Sequence, residues 1–162
     1  MHLSVMAKEI VDLLVRREGG TFVDGTLGNG GHARAILERA GPAAHLLGLD
    51  RDEEALGRAA QTLADRAQQS ILVHANFDTL HAVAAAQGIT AADGVLLDLG
   101  VSSDQLDTAG RGFSFMKDGP LDMRMDRTQA FTAADLVNTW SESELAECIR
   151  ANGEEPMARR IA

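Results

Sequence analysis

The sequence predicts an α/β fold built on a doubly wound, mostly parallel sheet, and three features carry that prediction. Short apolar runs alternate with helical periodicity from about residue 21 to 100. A glycine-rich turn, DGTLGNGGH (24–32), joins the first run to the helix that follows it. The fourth run, GVLLDLG (94–100), is apolar without alternation, as expected of a strand covered on both faces.

The elements follow in order. Ile10, Leu13 and Leu14, with Val11, suggest an amphipathic helix over roughly 6–17. Thr21, Phe22, Val23 and Asp24 read as a short buried strand leading into the glycine turn. HARAILERAG is then a helix with Ala33, Ile36, Leu37 and Ala40 on one face and Gly41 as its stop. AHLLGLD is a second strand, and DEEALGRAAQTLADR a second helix with acidic residues in its first turn, where they favour the helix dipole. ILVH (71–74) is a third strand and TLHAVAAAQG a third crossover helix ending at Gly88. From about residue 100 to 126 the periodicity gives way to a loop rich in Gly, Asp, Ser and Met. TAADLVNT and SESELAECIRANG are further helices, the second opening with the capping box of Ser141 and Glu144 and closing at Gly153. EEPMARRIA begins another helix. Left as an edge, the fourth strand would be apolar and unprotected, so further strands are expected to pair with it and the sheet begun here is expected to be incomplete.

Composition bounds the function classes. The 162 residues suffice for one domain with a core, or one domain and the start of another. A net charge of −9 offers no electrostatic footprint for nucleic acid. Aromatic residues make up 4% and Tyr is absent, so stacking platforms for bases are scarce. The single cysteine, Cys148, excludes an internal disulfide framework and fits a reducing, cytoplasmic setting. No metal site is expected. No apolar run approaches the length of a membrane span, and MHLSVMAKEI lacks the organisation of a secretion signal.

Within the turn, Gly28, Gly30 and Ala33 satisfy G-x-G-x-x-A after a strand and before a helix, with Asp50 ending the next strand. Taken alone this matches a dinucleotide-binding turn of an NAD(P)-linked oxidoreductase, or a purely structural turn. Asp24 separates the ligands. A carboxylate at the mouth of the turn repels a pyrophosphate but suits a cation. S-adenosylmethionine carries an ammonium and a sulfonium, has no phosphate, and still needs an acidic partner for its ribose. Asp24 also admits a plainer reading, as a strand-end carboxylate capping the amides of its own loop.

A longer signal lies in DLGVSSDQLDTAGRGFSFMKDGPLDMRMD (98–126). Together with VDGTLGNGGHARAIL and GLDRD it strongly resembles the bacterial 16S rRNA (cytosine-N4)-methyltransferase family, the MraW group. The resemblance runs from HLSVMAKEIVDLL to EEPMARRIA. It implies the class I methyltransferase form of the doubly wound sheet and S-adenosylmethionine as cofactor. By resemblance, Gly30, Gly31 and His32 contact the cofactor, Asp50 takes the ribose hydroxyls and Phe77 lies by the adenine. Asp98 and Gln105 complete the cofactor set. His32 could equally be a polar residue at a helix start, and Phe77 a core residue.

The implied reaction is methyl transfer to the exocyclic N4 of a cytosine in the decoding region of 16S rRNA, within the small ribosomal subunit. Asp98, Ser102 and Ser103 are the candidates for accepting the N4 hydrogens. Residues 1–126 then form the cofactor-binding part and 127–162 the start of a helical substrate-side subdomain. A non-catalytic S-adenosylmethionine-binding fragment is the alternative. Arg111, Lys117, Arg124 and Arg127 alternate with Asp118, Asp122 and Asp126, which leaves open a self-neutralised loop or an RNA-contact surface. No membrane partner is expected and no oligomeric state follows.

Overall fold

A computed structural model describes residues 4–162; His2 and Leu3, with which the family resemblance begins, lie outside the described residues. The chain forms two compact units, 1–100 and 101–162.

In the first unit, α1 (Ala7–Leu14) precedes β1 (Gly20–Asp24), α2 (Gly31–Ala40), β2 (Ala44–Asp50), α3 (Glu53–Thr62), β3 (Ser70–His74), α4 (Leu80–Ala86) and β4 (Gly94–Leu96). The four strands are parallel in the order β3-β2-β1-β4. Strand alternation sorts their side chains into two cores. Phe22, Leu46, Leu72 and Leu96 pack with the helices α1, α2 and α3, whereas Val23, Leu47, Leu49 and Val73 pack with α4. Helices on both faces of a parallel sheet make the unit doubly wound. Phe22, Ile36, Leu37, Leu46, Leu47 and Leu49 are fully buried, each contributing roughly 1.5–3 kcal/mol by leaving water.

Three boundaries differ from the sequence reading. α1 ends at Leu14, not near residue 17. Val15 turns extended, and Arg17 pairs with Asp93 at 2.9 Å while Asp93 accepts the N–H of Thr21, so the charged run serves the entry to β1. α3 gives way after Thr62 to buried Leu63 and a short 3₁₀ turn over Ala64–Arg66. The fourth strand is only Gly94–Leu96, and it is not covered on both faces. Leu96 is buried, but Val95, Leu97 and Leu99 are exposed, because among the described strands β4 pairs with β1 alone.

The second unit contains α5 (Ser103–Asp107), α6 (Ala133–Thr139), α7 (Glu142–Gly153) and α8 (Ala158–Ile161). Ser141 and Glu144 form the expected capping box, and Thr132 with Asp135 forms another at the start of α6. α5 lies inside the stretch read as loop; five residues are too few to show a helical period. Gly153 is still helical, and the left-handed residue that stops α7 is Glu154, at φ 50°. No helix among the described residues is long and apolar enough to cross a membrane.

Candidate cofactor site

The glycine turn is stitched to both neighbouring strands. Gly25 donates to the carbonyl of Leu96 at 3.0 Å and Leu27 to that of Leu49 at 2.9 Å. Gly28 donates to Asp50 Oδ2 at 2.7 Å, and the amide of Asp98 donates to Thr26 Oγ1 at 2.7 Å. Asn29 accepts from Arg58 Nε at 2.7 Å, tying the turn to α3. Gly30 caps α2 at φ 79°, a conformation that side chains resist. At Gly31 a Cβ would meet the Ser4 hydroxyl, which would have to rotate away. The first amides of α2 therefore follow directly on the glycine turn, as at a ligand-binding helix start.

Asp24 ends β1 at 1% exposure. Its Oδ1 accepts from the Thr26 amide at 3.1 Å, while Oδ2 is buried with no hydrogen-bond partner. Burial pushes the Asp24 carboxyl up to about 6; Asp50 and Asp98 add to the rise, and the Thr26 amide and His32 work against it. An orphaned carboxylate oxygen at the mouth of a glycine turn is a costly arrangement without a cationic or hydrogen-bond-donating partner. A positively charged group beside Asp24 would offset that cost, whereas a pyrophosphate would add to it.

The predicted residues divide between the two units. In the first, Asp50 sits at the end of β2, partly exposed, accepting from the amides of Gly28 and Asp52. Each oxygen keeps a lone pair for a ligand hydroxyl. Phe77 opens the 3₁₀ turn after β3, is 37% exposed, and lies where a side chain on Gly25 would meet it. His32 is 7% exposed, with Nε2 2.9 Å from the carbonyl oxygen of Val5 and Nδ1 3.9 Å from Asp98 Oδ2. Gly30, Gly31, His32, Asp50, Phe77 and Asp98 thus border the same turn, directly or through one neighbour. A cation with a ribose and an adenine fits the donors and acceptors they offer.

In the second unit, Ser102 caps α5: its hydroxyl accepts from the amide of Gln105 at 3.2 Å, and Gln105 Oε1 accepts from the amide of Ser102 at 3.0 Å. Ser103 is the first residue of that helix. The basic residues of the following loop are largely occupied internally. Arg111, buried, donates to the carbonyls of Arg124 and Met125. Arg124 grips Asp122 through both carboxylate oxygens, at 2.8 and 2.7 Å, and holds that carboxyl well below the usual range. Lys117 donates to the carbonyl of Asp107. These contacts favour the self-neutralised loop over an RNA-contact surface.

Thr26 and Arg58 were not singled out from the sequence. Their contacts join positions 72 and 29 residues apart, and only the DGTLGN stretch itself hinted that its polar side chains would be needed. No group of three or more His, Cys, Asp or Glu placed to hold a metal occurs among the described residues.

The MraW methylase family matches this chain over residues 1–162. A curated relative named ribosomal RNA small subunit methyltransferase H, from Geotalea uraniireducens (strain Rf4), is 55% identical over 161 residues, 99% of this chain and 52% of its own length. Its namesake from Syntrophotalea carbinolica is 54% identical over 99% of this chain and 51% of its own length. The chain spans about half the length of the curated relatives it matches. Among solved structures, an rRNA methylase from Streptococcus thermophilus overlaps 51% of this chain and 50% of its own, at 24% identity and a TM-score of 0.42. TrmN from Thermus thermophilus overlaps 48% and 24%, at 26% identity and 0.44. Structural overlap at that level decides nothing about this chain; the sequence relationships do.

Proposed function

The chain belongs to the MraW methylase family over its whole length, and from that premise we propose that it carries the cofactor half of an S-adenosylmethionine-dependent rRNA methyltransferase. The substrate is small-subunit rRNA, met in the cytoplasm within the small ribosomal subunit, and the acceptor is the exocyclic N4 of a cytosine in the 16S decoding region. The observation that carries the cofactor assignment is the buried, unpartnered Oδ2 of Asp24 beside the glycine turn.

When bound, S-adenosylmethionine supplies an electrophilic methyl on a sulfonium. Asp24 takes the cofactor's ammonium, whose charge offsets the cost of burying that carboxylate. Asp50 holds the ribose hydroxyls while keeping its bonds to Gly28 and Asp52, and Phe77 covers the adenine. The amides of Gly31 and His32 at the start of α2 would hold the methionine carboxylate. The N4 lone pair of cytosine is delocalised into the ring, so transfer needs N4 held in line and an acceptor for its hydrogens as charge develops. Asp98 is the acceptor on the β4 side, and Ser102 and Ser103 are the hydroxyls nearest to it in sequence. Direct displacement needs no covalent intermediate on the protein. Gln105 completes the cofactor set. Residues 1–126 make up this cofactor part, and 127–162 open the helical subdomain on the substrate side.

Calorimetric titration of the 162-residue chain with S-adenosylmethionine, with NAD⁺ in parallel, tests the reading. Saturable binding of S-adenosylmethionine that is lost in a folded Asp50→Ala variant is the expected result. Binding of NAD⁺ instead would transfer the site to the oxidoreductase class. Methyl transfer to 30S particles, by the chain with the remaining half of a relative supplied, separates a catalytic half from a non-catalytic binding module.

A further inference from the structure

α1 lies alongside α2 and runs in the same direction. Val11 of α1 joins Ala33, Ile36 and Leu37 of α2 in one buried cluster. Near the helix ends, Arg39 Nη1 stands 3.3 Å from Asp12 Oδ1. At the helix starts, the buried ring of His32 donates from Nε2 to the carbonyl of Val5 at 2.9 Å, since a carbonyl only accepts. Met6 turns the chain through the left-handed conformation at φ 52°. Ser4 thereby comes to rest on Gly31. Its hydroxyl occupies the place a side chain at position 31 would take, in contact with the backbone of the residue that opens α2. Among the described residues no group is hydrogen-bonded to that hydroxyl. The same helix start neighbours Asp24, whose buried carboxylate feels the charge of His32 and whose Oδ2 has no partner.

We propose that Ser4 is a cofactor-binding residue, whose hydroxyl donates a hydrogen bond to the methionine carboxylate of S-adenosylmethionine beside the first amides of α2. The proposal rests on the reading that the glycine turn binds this cofactor. The ammonium and carboxylate of the cofactor are carried by one carbon, so the groups that answer them must lie close together. Asp24 answers the ammonium, and the start of α2 with the Ser4 hydroxyl answers the carboxylate. His32 stands next to both: its ring fixes the Val5 peptide, and its backbone belongs to the first turn of the helix. Glycine at position 31 leaves the space that the hydroxyl fills. The segment before α1 is then part of the wall of the cofactor site.

Calorimetric titration of the 162-residue chain with two ligands tests this. One is S-adenosylmethionine; the other is its decarboxylated form, which keeps the sulfonium, ammonium, ribose and adenine. Ser4→Ala is expected to weaken S-adenosylmethionine about tenfold and the decarboxylated ligand by less than about twofold, because only the first offers the hydroxyl a charged acceptor. The thermal midpoint of the unliganded variant is expected to match the wild type. Equal losses toward both ligands would make Ser4 a structural residue of its segment and overturn the proposal. Unchanged affinity for S-adenosylmethionine would overturn it as well, leaving the carboxylate to the amides alone. A wild-type chain that binds neither ligand overturns the cofactor reading itself, and the role of Ser4 with it.

Discussion

Asp24→Asn isolates the cost of the carboxylate buried in the cofactor site. In the folded chain the Asp24 carboxyl titrates at about 6 against an unperturbed 3.8, chiefly because burial strips its hydration. The folded state therefore holds this proton more tightly than the unfolded chain. Between about pH 4 and 6, stability falls as pH rises, and above 6 the full penalty remains, about 3 kcal/mol at 1.36 kcal/mol per pH unit. Asparagine keeps the shape and an acceptor for the Thr26 amide without the charge. Urea unfolding at pH 7.5 is expected to show the variant more stable by up to about 3 kcal/mol, and at pH 4 by almost nothing. Taking variant minus wild type at each pH cancels the other carboxylates. The same variant is expected to lose about tenfold or more in S-adenosylmethionine affinity at pH 7.5, because the ammonium then meets a neutral amide. A stability difference that is the same at both pH values, or a variant less stable at pH 7.5, would refute the claim that charge burial at Asp24 opposes folding.

Three further outcomes follow from single contacts. Asp122→Asn is expected to cost about 1–2 kcal/mol at pH 7 by breaking the two-pronged grip of Arg124; because that carboxyl titrates well below its usual range, its contribution is fully present above about pH 4 and shrinks as pH falls, so the gap between the urea midpoints of variant and wild type should narrow from pH 4 to pH 2. Glu154→Gly is expected to raise stability by about 0.5–1 kcal/mol, since the left-handed stop of α7 strains a glutamate but not a glycine; a lower thermal midpoint would contradict this. Gly30→Ala is expected to destabilise by about 1–2 kcal/mol, because its φ of 79° is one that side chains resist and a Cβ there would press on the Ala59 backbone at 3.3 Å; an unchanged midpoint in denaturant titrations would contradict this.

Local signals were legible wherever the chain's own neighbours decide the conformation. AHLLGLD became β2 over its full seven residues, Gly41 stops α2, and Ser141 with Glu144 caps α7 as read. Long-range contacts decide the failures. Arg16 and Arg17 continue a helical pattern on paper, yet Arg17 is drawn to Asp93 and the helix ends at Leu14. GVLLDLG has the composition of a central strand, but only three of its residues find a partner. α5 carries no period to detect, and Glu154 takes the left-handed position one residue beyond the glycine that the rule for helix ends would choose.

The site divides along the same line, and the division explains its chemistry. The glycines and the two carboxylates Asp24 and Asp50 fall within 27 residues, and their spacing alone raised the question of a cation against a phosphate. What favours the cation is the surroundings of Asp24: a sheet interior that removes its water, Asp50 and Asp98 that add negative charge, and no partner for Oδ2. A fold gains nothing in stability from that arrangement, because an amide of the same shape would cost less. Its cost is offset only when a positive group arrives. On the proposed reading the same carboxylate weakens the unliganded unit and strengthens its hold on a cationic cofactor, so Asp24→Asn should move those two quantities in opposite directions.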